Sequence, residues 1–105
     1  MKIFYKPLSV NDAWKGRRFK SDTYKQYERD ILFLLPKMEL PNAPYMITLI
    51  FGFNNMASDI DNPVKPLLDI LQKKYGFNDK DVHALMVLKV QADKPYFNIE
   101  ITSFI

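Results

Sequence analysis

The sequence predicts an α+β fold, a four-stranded mixed sheet with two helices in the order β-α-β-α-β-β, and three observations carry that prediction. The run YMITLIFGF (45–53) places apolar side chains on both faces, the pattern of a strand covered on both sides and therefore central in a sheet. Two segments repeat apolar residues at helical spacing, one before that run and one after it. Beyond the second, two runs alternate at a period of two across the short turn ADKPY, which predicts an antiparallel hairpin at the C-terminus. A chain of 105 residues supports one hydrophobic core, so residues 1–105 are read as a single domain.

In chain order, KIFYK (2–6) reads as a short strand. Residues 7–20 lack periodicity and carry Gly16, Arg17 and Arg18, which predicts a loop. Ser21 is placed to cap a helix in which Tyr24, Tyr27, Ile31, Leu34 and Leu35 recur at helical spacing. Pro36 ends that helix, because the residue before a proline is pushed out of the α region. Asn62 as cap and Pro63 at the first position open a second helix, whose apolar stripe is Val64, Leu67, Leu68, Leu71 and Tyr75. Lys73 and Lys74 suit its last turn, and Gly76 supplies a left-handed C-terminal residue. Pro66 lies at the edge of the first turn and predicts an irregular start. Val82, Ala84, Met86, Leu88 and Val90 then alternate with His83, Lys89 and Gln91, although Leu85 and Val87 blur the pattern. Phe97, Ile99 and Ile101 alternate against Asn98, Glu100 and Thr102.

Composition narrows the class. The chain has no cysteine, which excludes disulfides and thiolate metal sites and fits a reducing compartment. Its longest apolar stretch is far short of the ~20 residues of a membrane-spanning helix. No signal-like apolar run opens the sequence. The expectation is a cytoplasmic chain with no membrane contact. Net charge is +3, unevenly spread: residues 1–37 hold nine Lys/Arg against four Asp/Glu, and the remainder holds six against eight. A simple nucleic-acid clamp avoids carboxylates near phosphate, whereas an enzyme that attracts a polyanion and performs metal chemistry on it needs both. An ordinary solvated surface is the competing reading.

The carboxylates fall in two knots. SDIDNPVK (58–65) holds Asp59 and Asp61 just after the apolar strand, and NDKD (78–81) holds Asp79 and Asp81 after the second helix. If three of them met, two charges about 5 Å apart at an effective dielectric near 20 would repel by roughly 3 kcal/mol. A proton or a cation must then accompany them, and oxygen-only ligands select Mg²⁺, with Mn²⁺ as a substitute. A helix of about twelve residues spans roughly 18 Å, so the knots meet only if the chain returns. Lys65 stands one turn beyond Asp61 and one turn before Asp69. It serves either a surface i,i+4 pair or the charge of a phosphate group. Asp and Asn are also ordinary turn formers and caps. A calcium EF-hand loop is excluded, since Val64 and Ile70 occupy the positions that need glycine and glutamate.

The combination DIDNPVKPLLDIL, then GFNDKDV, then VLKV, with SVNDAWKGRRFKS and Tyr27 ahead of it, resembles the RusA family of Holliday junction resolvases over nearly the whole chain. The resemblance implies a homodimeric, Mg²⁺-dependent endodeoxyribonuclease that cuts four-way DNA junctions by paired nicks in recombination and repair. It places Asp59 and Asp61 as metal-binding acids, Asp79 (rather than Asp81) as the third acid, and Lys65 as a catalytic lysine. It further implies DNA contacts from Asn11, Trp14, Lys15, Arg17, Arg18 and Lys20. Trp14 and Phe19 either stack on an unpaired base or anchor a loop, and His83 reads as an ordinary strand residue. The competing functions are a non-catalytic DNA-binding module, a nuclease acting on flaps or other branched DNA, and a small-molecule phosphohydrolase.

Overall fold

The structure is a computed structural model that describes residues 1–8, 14, 15, 19–57 and 59–105, with 14, 15 and 19 as backbone only. Strands β1 (Lys2–Ile3), β2 (Trp14–Lys15) and β3 (Phe19–Lys20) precede helix α1 (Asp22–Leu34) and strand β4 (Tyr45–Phe53). Helix α2 (Val64–Tyr75), a 3₁₀ turn (Asp79–Asp81), and strands β5 (Val82–Gln91) and β6 (Tyr96–Ser103) complete the chain.

The main sheet has the order β1-β6-β4-β5. β4 is central, as its two apolar faces require. It pairs parallel with β5, from Tyr45 opposite Val82 to Phe53 opposite Gln91, and antiparallel with β6, from Tyr45 opposite Ser103 to Gly52 opposite Tyr96. The sheet is therefore mixed, with two helices, as the sequence predicts. β5 and β6 run antiparallel and are joined by the short turn 92–95, as a hairpin would be; β4 lies hydrogen-bonded between the two arms. The reason is burial. β4 is the most apolar strand of the sheet, and only the central place pairs both of its edges.

The alternation of β4 divides the molecule. Tyr45, Ile47, Leu49, Phe51 and Phe53 are buried against the helices, with Phe97 and Ile99 of β6 beside them. Tyr24, Tyr27 and Ile31 of α1 and Leu67, Ile70 and Leu71 of α2 fill the same core. On the other face, Met86, Leu88, Glu100 and Thr102 are exposed. Gly52 has a specific task on that face. The Tyr96 ring lies across it so closely that a Cβ there would collide with the ring, and the Lys2 ammonium stands 4.2 Å from the same ring centre.

Both helices begin and end for local reasons. The Ser21 hydroxyl accepts from the Tyr24 backbone amide at 3.0 Å, the expected cap, and Leu35 leaves the helix in extended conformation ahead of Pro36. Helix α2 starts one residue later than expected: Pro63 occupies the cap position and no side chain caps it. Pro66 is its third residue, where a backbone donor has no partner inside the helix, and its ring is buried. Gly76 ends α2 at φ 76°, and its amide donates to the Gln72 carbonyl at 2.7 Å. The segment expected to be a plain loop contains the ribbon β2–β3, with Trp14 opposite Lys20 and Lys15 opposite Phe19. Two residues per strand are too few for a periodicity to register.

Two outcomes follow. Gly52→Ala forces the Tyr96 ring off the sheet and is expected to cost about 1–3 kcal/mol of stability; urea unfolding measures this, and a Tyr96→Ala background should remove most of the cost. Separately, the hydrogen bond to Asp30 and then burial raise Tyr5 from 10.0 to about 12, while burial first and the charges of Asp69 and Glu28 next raise Tyr24 from 10.0 to about 12. Folded values above the unfolded one mean that this stabilisation is full below pH 10 and lost as pH rises towards 12. Ultraviolet titration of the native protein should show tyrosines ionising late, with the urea midpoint falling through the same window.

Candidate active site

The first acidic segment leaves the end of β4 and is stitched to the end of β5. Lys89 Nζ donates to the Met56 carbonyl at 3.0 Å, and Gln91 Nε2 donates to the Asn54 carbonyl at 2.9 Å. The chain then turns tightly. The Asp59 carbonyl accepts from the Asn62 amide at 3.3 Å and the Asp61 carbonyl from the Val64 amide at 3.1 Å. These backbone bonds replace the Asn62 side-chain cap that the sequence suggested. They leave the carboxylates of Asp59 and Asp61 exposed to solvent.

Asp61 and Lys65 stand on the rim of an apolar groove of about 310 Å³ floored by Val64 and Leu68 of α2 and by Leu85 and Val87 of β5, with Ile60 beside them. The sequence signal for this groove was the blurring of the alternation at Leu85 and Val87. Lys65 Nζ donates to Asp69 Oδ1 at 2.9 Å, the i,i+4 pair expected from spacing. That hydrogen bond holds the ammonium above its ordinary pKa; burial opposes it, and the charges of Asp69 and Asp79 reinforce it. Asp79 is thus within electrostatic reach of Lys65. It sits exposed in the 3₁₀ turn, capped by Asn78, whose Oδ1 accepts from the Lys80 amide at 3.1 Å; Asp81 is half-buried.

Strand pairing fixes where the two acidic knots lie. Because β4 and β5 are parallel and in register along their length, Asp79 and Asp81 enter β5 beside the start of β4, and Asp59 and Asp61 follow its end. The twelve residues of α2 lie between them, a length of about 18 Å. Among the described residues, no three carboxylate or histidine side chains gather closely enough to hold a metal ion. The oxygen donors suit Mg²⁺ chemically, but a single chain does not bring the expected three together.

Of the residues expected on DNA, Asn11, Arg17 and Arg18 lie outside the described residues. Trp14 and Lys15 belong to β2, and Lys20 to β3. Lys20 Nζ donates to Glu28 Oε2 at 2.7 Å and lies 4.9 Å from the Tyr24 ring centre. Glu28, which the sequence reading passed over, also accepts from Lys73 Nζ at 3.1 Å, so it joins β3 and α2 through α1.

A protein-family model described as endodeoxyribonuclease RusA matches residues 9–102. The chain belongs to the RusA endodeoxyribonuclease family. No curated protein matched the chain. The RusA match spans both acidic knots, Lys65 and the basic ribbon, the residues on which the sequence resemblance was drawn. RusA proteins are DNA endonucleases, so the reaction class at issue is hydrolysis of a DNA phosphodiester. No helix among the described residues is long and apolar enough to cross a membrane.

The arrangement around Lys65 makes a measurable statement. Asp69→Asn should lower the Lys65 pKa, and Asp79→Asn should lower it by less; NMR titration of the lysine side chain reads both, and no change in the first variant would contradict the pairing.

Proposed function

We propose that this RusA-family chain is a Mg²⁺-dependent endonuclease that resolves four-way DNA junctions by paired symmetric nicks, as a homodimer, in recombination and repair. The observation that supports it best is the acidic turn set beside a charged lysine, Asp59 and Asp61 with Lys65, inside a RusA match over residues 9–102.

Each chain contributes groups with separable tasks. Asp59, Asp61 and Asp79 would hold Mg²⁺, which when bound supplies activation of the attacking water and neutralisation of charge on the phosphate. Lys65, kept protonated by Asp69, would stabilise negative charge developing on the phosphate oxygens. The basic ribbon would hold the DNA backbone through salt-sensitive contacts that carry little sequence information. A four-way junction has two-fold symmetry, and paired nicks call for a two-fold enzyme.

The dimer also answers the distance between the acidic knots. Within one chain they lie at opposite ends of α2. A two-fold axis perpendicular to α2 and passing close to its middle would set the Asp59–Asp61 end of one chain against the Asp79 end of the other. The acids would then be shared between protomers.

Mixing two inactive variants tests both levels. Asp61→Asn and Asp79→Asn should each bind a synthetic junction and fail to cut it with Mg²⁺. Subunit exchange between them should restore nicking, since a mixed dimer keeps one site with both acids. A wild-type protein that cuts no junction, flap or duplex would sink the nuclease reading. Wild-type cutting with no rescue in the mixture would sink the sharing alone.

A further inference from the structure

Helices α1 and α2 both bury their apolar sides against one face of the main sheet, and among the described residues no helix covers the other. One end of that bare face carries a cluster of rings and cations. Pairing of β1 with β6 sets Lys2 opposite Asn98 and turns it outward, while Ile3 enters the core opposite Phe97. The Ile99 amide donates to the Met1 carbonyl at 2.8 Å, which pins this segment to β6. The Tyr96 ring lies across Gly52, which has no side chain to lift it. Phe4, 52% exposed, stands beside Tyr96 with the ring centres 6.1 Å apart and the planes tilted by 59°. Lys2 Nζ is 4.2 Å from the Tyr96 ring centre and 5.1 Å from that of Phe4. Lys94 Nζ, from the turn between β5 and β6, is 4.7 Å from the Phe4 ring centre.

These two cations differ from Lys20, Lys65 and Lys73, each of which already holds a carboxylate. Among the described residues neither Lys2 nor Lys94 is paired with one. Asp93, beside Lys94 in the turn, and Glu100, further along β6, are exposed and pair with neither.

We propose that this corner of the bare face, Phe4 and Tyr96 flanked by Lys2 and Lys94, is a binding site for unpaired, single-stranded DNA, with bases stacked on the rings and the ammonium groups on adjoining phosphates. It deepens the nuclease reading and rests on it only for the use of the site: binding here favours substrates that expose unpaired nucleotides, and needs neither Mg²⁺ nor cutting.

Three features select that occupant. First, a base inside a duplex has both faces covered by its neighbours, so only an unpaired nucleotide offers a face to a protein ring; aromatic side chains set among cations are the chemistry that takes such a strand. An acidic peptide would meet the lysines but has no face for the rings. Secondly, a cation–ring contact at an exposed site is weak. Each ammonium can leave its ring for a phosphate without breaking an ion pair. Thirdly, the place is right. Gly52, opposite Tyr96, is next to the end of β4, from which the chain runs on to Asp59 and Asp61. The Ala92 amide donates to the Phe53 carbonyl at 2.8 Å, which ties the turn carrying Lys94 to the same end of the sheet.

Binding of the full chain to a labelled oligothymidylate and to a blunt duplex of equal length, without Mg²⁺, tests the inference. The wild type should bind the single strand, and ultraviolet cross-links from an iodouracil-substituted strand should map to Phe4 or Tyr96. Phe4→Leu and Tyr96→Leu should each weaken single-strand binding on the order of 10-fold, with duplex affinity and far-ultraviolet circular dichroism unchanged. Lys2→Gln and Lys94→Gln should each lower the slope of log affinity against log salt by roughly 0.7. Should Tyr96→Leu unfold for want of the packing on Gly52, Phe4→Leu, altered at a ring already half in water, decides the same question. A wild type that ignores the single strand, cross-links only elsewhere, folded ring variants of unchanged affinity, or an equal loss on the duplex would each overturn it. So would polyglutamate that competes as well as oligothymidylate of equal charge, since lysines alone would then explain the binding. A chain that holds the single strand on these rings yet cuts no DNA would leave this site standing and remove the nuclease reading. A chain that cuts junctions but takes no single strand here would do the reverse.

Discussion

The constraint behind this fold is a strand with almost nothing polar to show to water, Thr48 apart. Ile47, Leu49 and Phe51 are fully buried on one face of β4, and Met46 and Ile50 are half-buried on the other. Such a strand needs neighbours along both edges. β6 supplies one by direct antiparallel pairing. β5 supplies the other in parallel, which obliges the chain to travel back along the sheet between the two strands. α2 is that return, and its apolar stripe covers the face it crosses. The separation of the acidic knots follows from the same step: a parallel neighbour always begins at the end where its predecessor began. The distance between Asp61 and Asp79 is thus built into the strand order, not into either loop.

What could be read from sequence follows the range of the forces involved. The cap at Ser21, the stop at Pro36, the left-handed Gly76 and the extent of β4 are set by nearest neighbours, and all lie where the residues indicate. The grouping of Asp59, Asp61 and Lys65 on one rim follows from spacing within a single turn and the start of a helix. Strand order did not follow. Consecutive strands usually pair, and nothing within 82–103 records that β4 inserts between β5 and β6. The place of Asp79 inherits that ambiguity. The ribbon β2–β3 escaped because two residues cannot display a period, and the start of α2 shifted because backbone bonds to Asp59 and Asp61 replaced a side-chain cap.

The uneven charge of the sequence acquires a structural sense through Glu28. Burial pushes its carboxyl up, but the hydrogen bonds from Lys20 and Lys73, with their charges, more than offset this and hold it below the ordinary value. One carboxylate therefore ties the basic ribbon to both helices. Lowered in the folded state, it stabilises the protein at neutral pH and ceases to do so as acid protonates it. A phosphate approaching Lys20 meets a cation that already has an anionic partner, so any affinity it gains is the difference between two anions.

Pro63 and Pro66 bear on the acidic turn in a way their positions in the helix do not by themselves convey. Winding α2 backwards by another turn would require an amide that Pro66 lacks and would drive its ring into the carbonyl of Asn62. The helix therefore has no route to absorb Asp59 and Asp61, and the two carboxylates stay in a turn instead of being spread around a cylinder. Both rings also stiffen the disordered chain, so less freedom remains to be surrendered when the turn forms. The geometry of the acids is in this sense guarded from their C-terminal side by covalent chemistry, before any ion or nucleotide arrives.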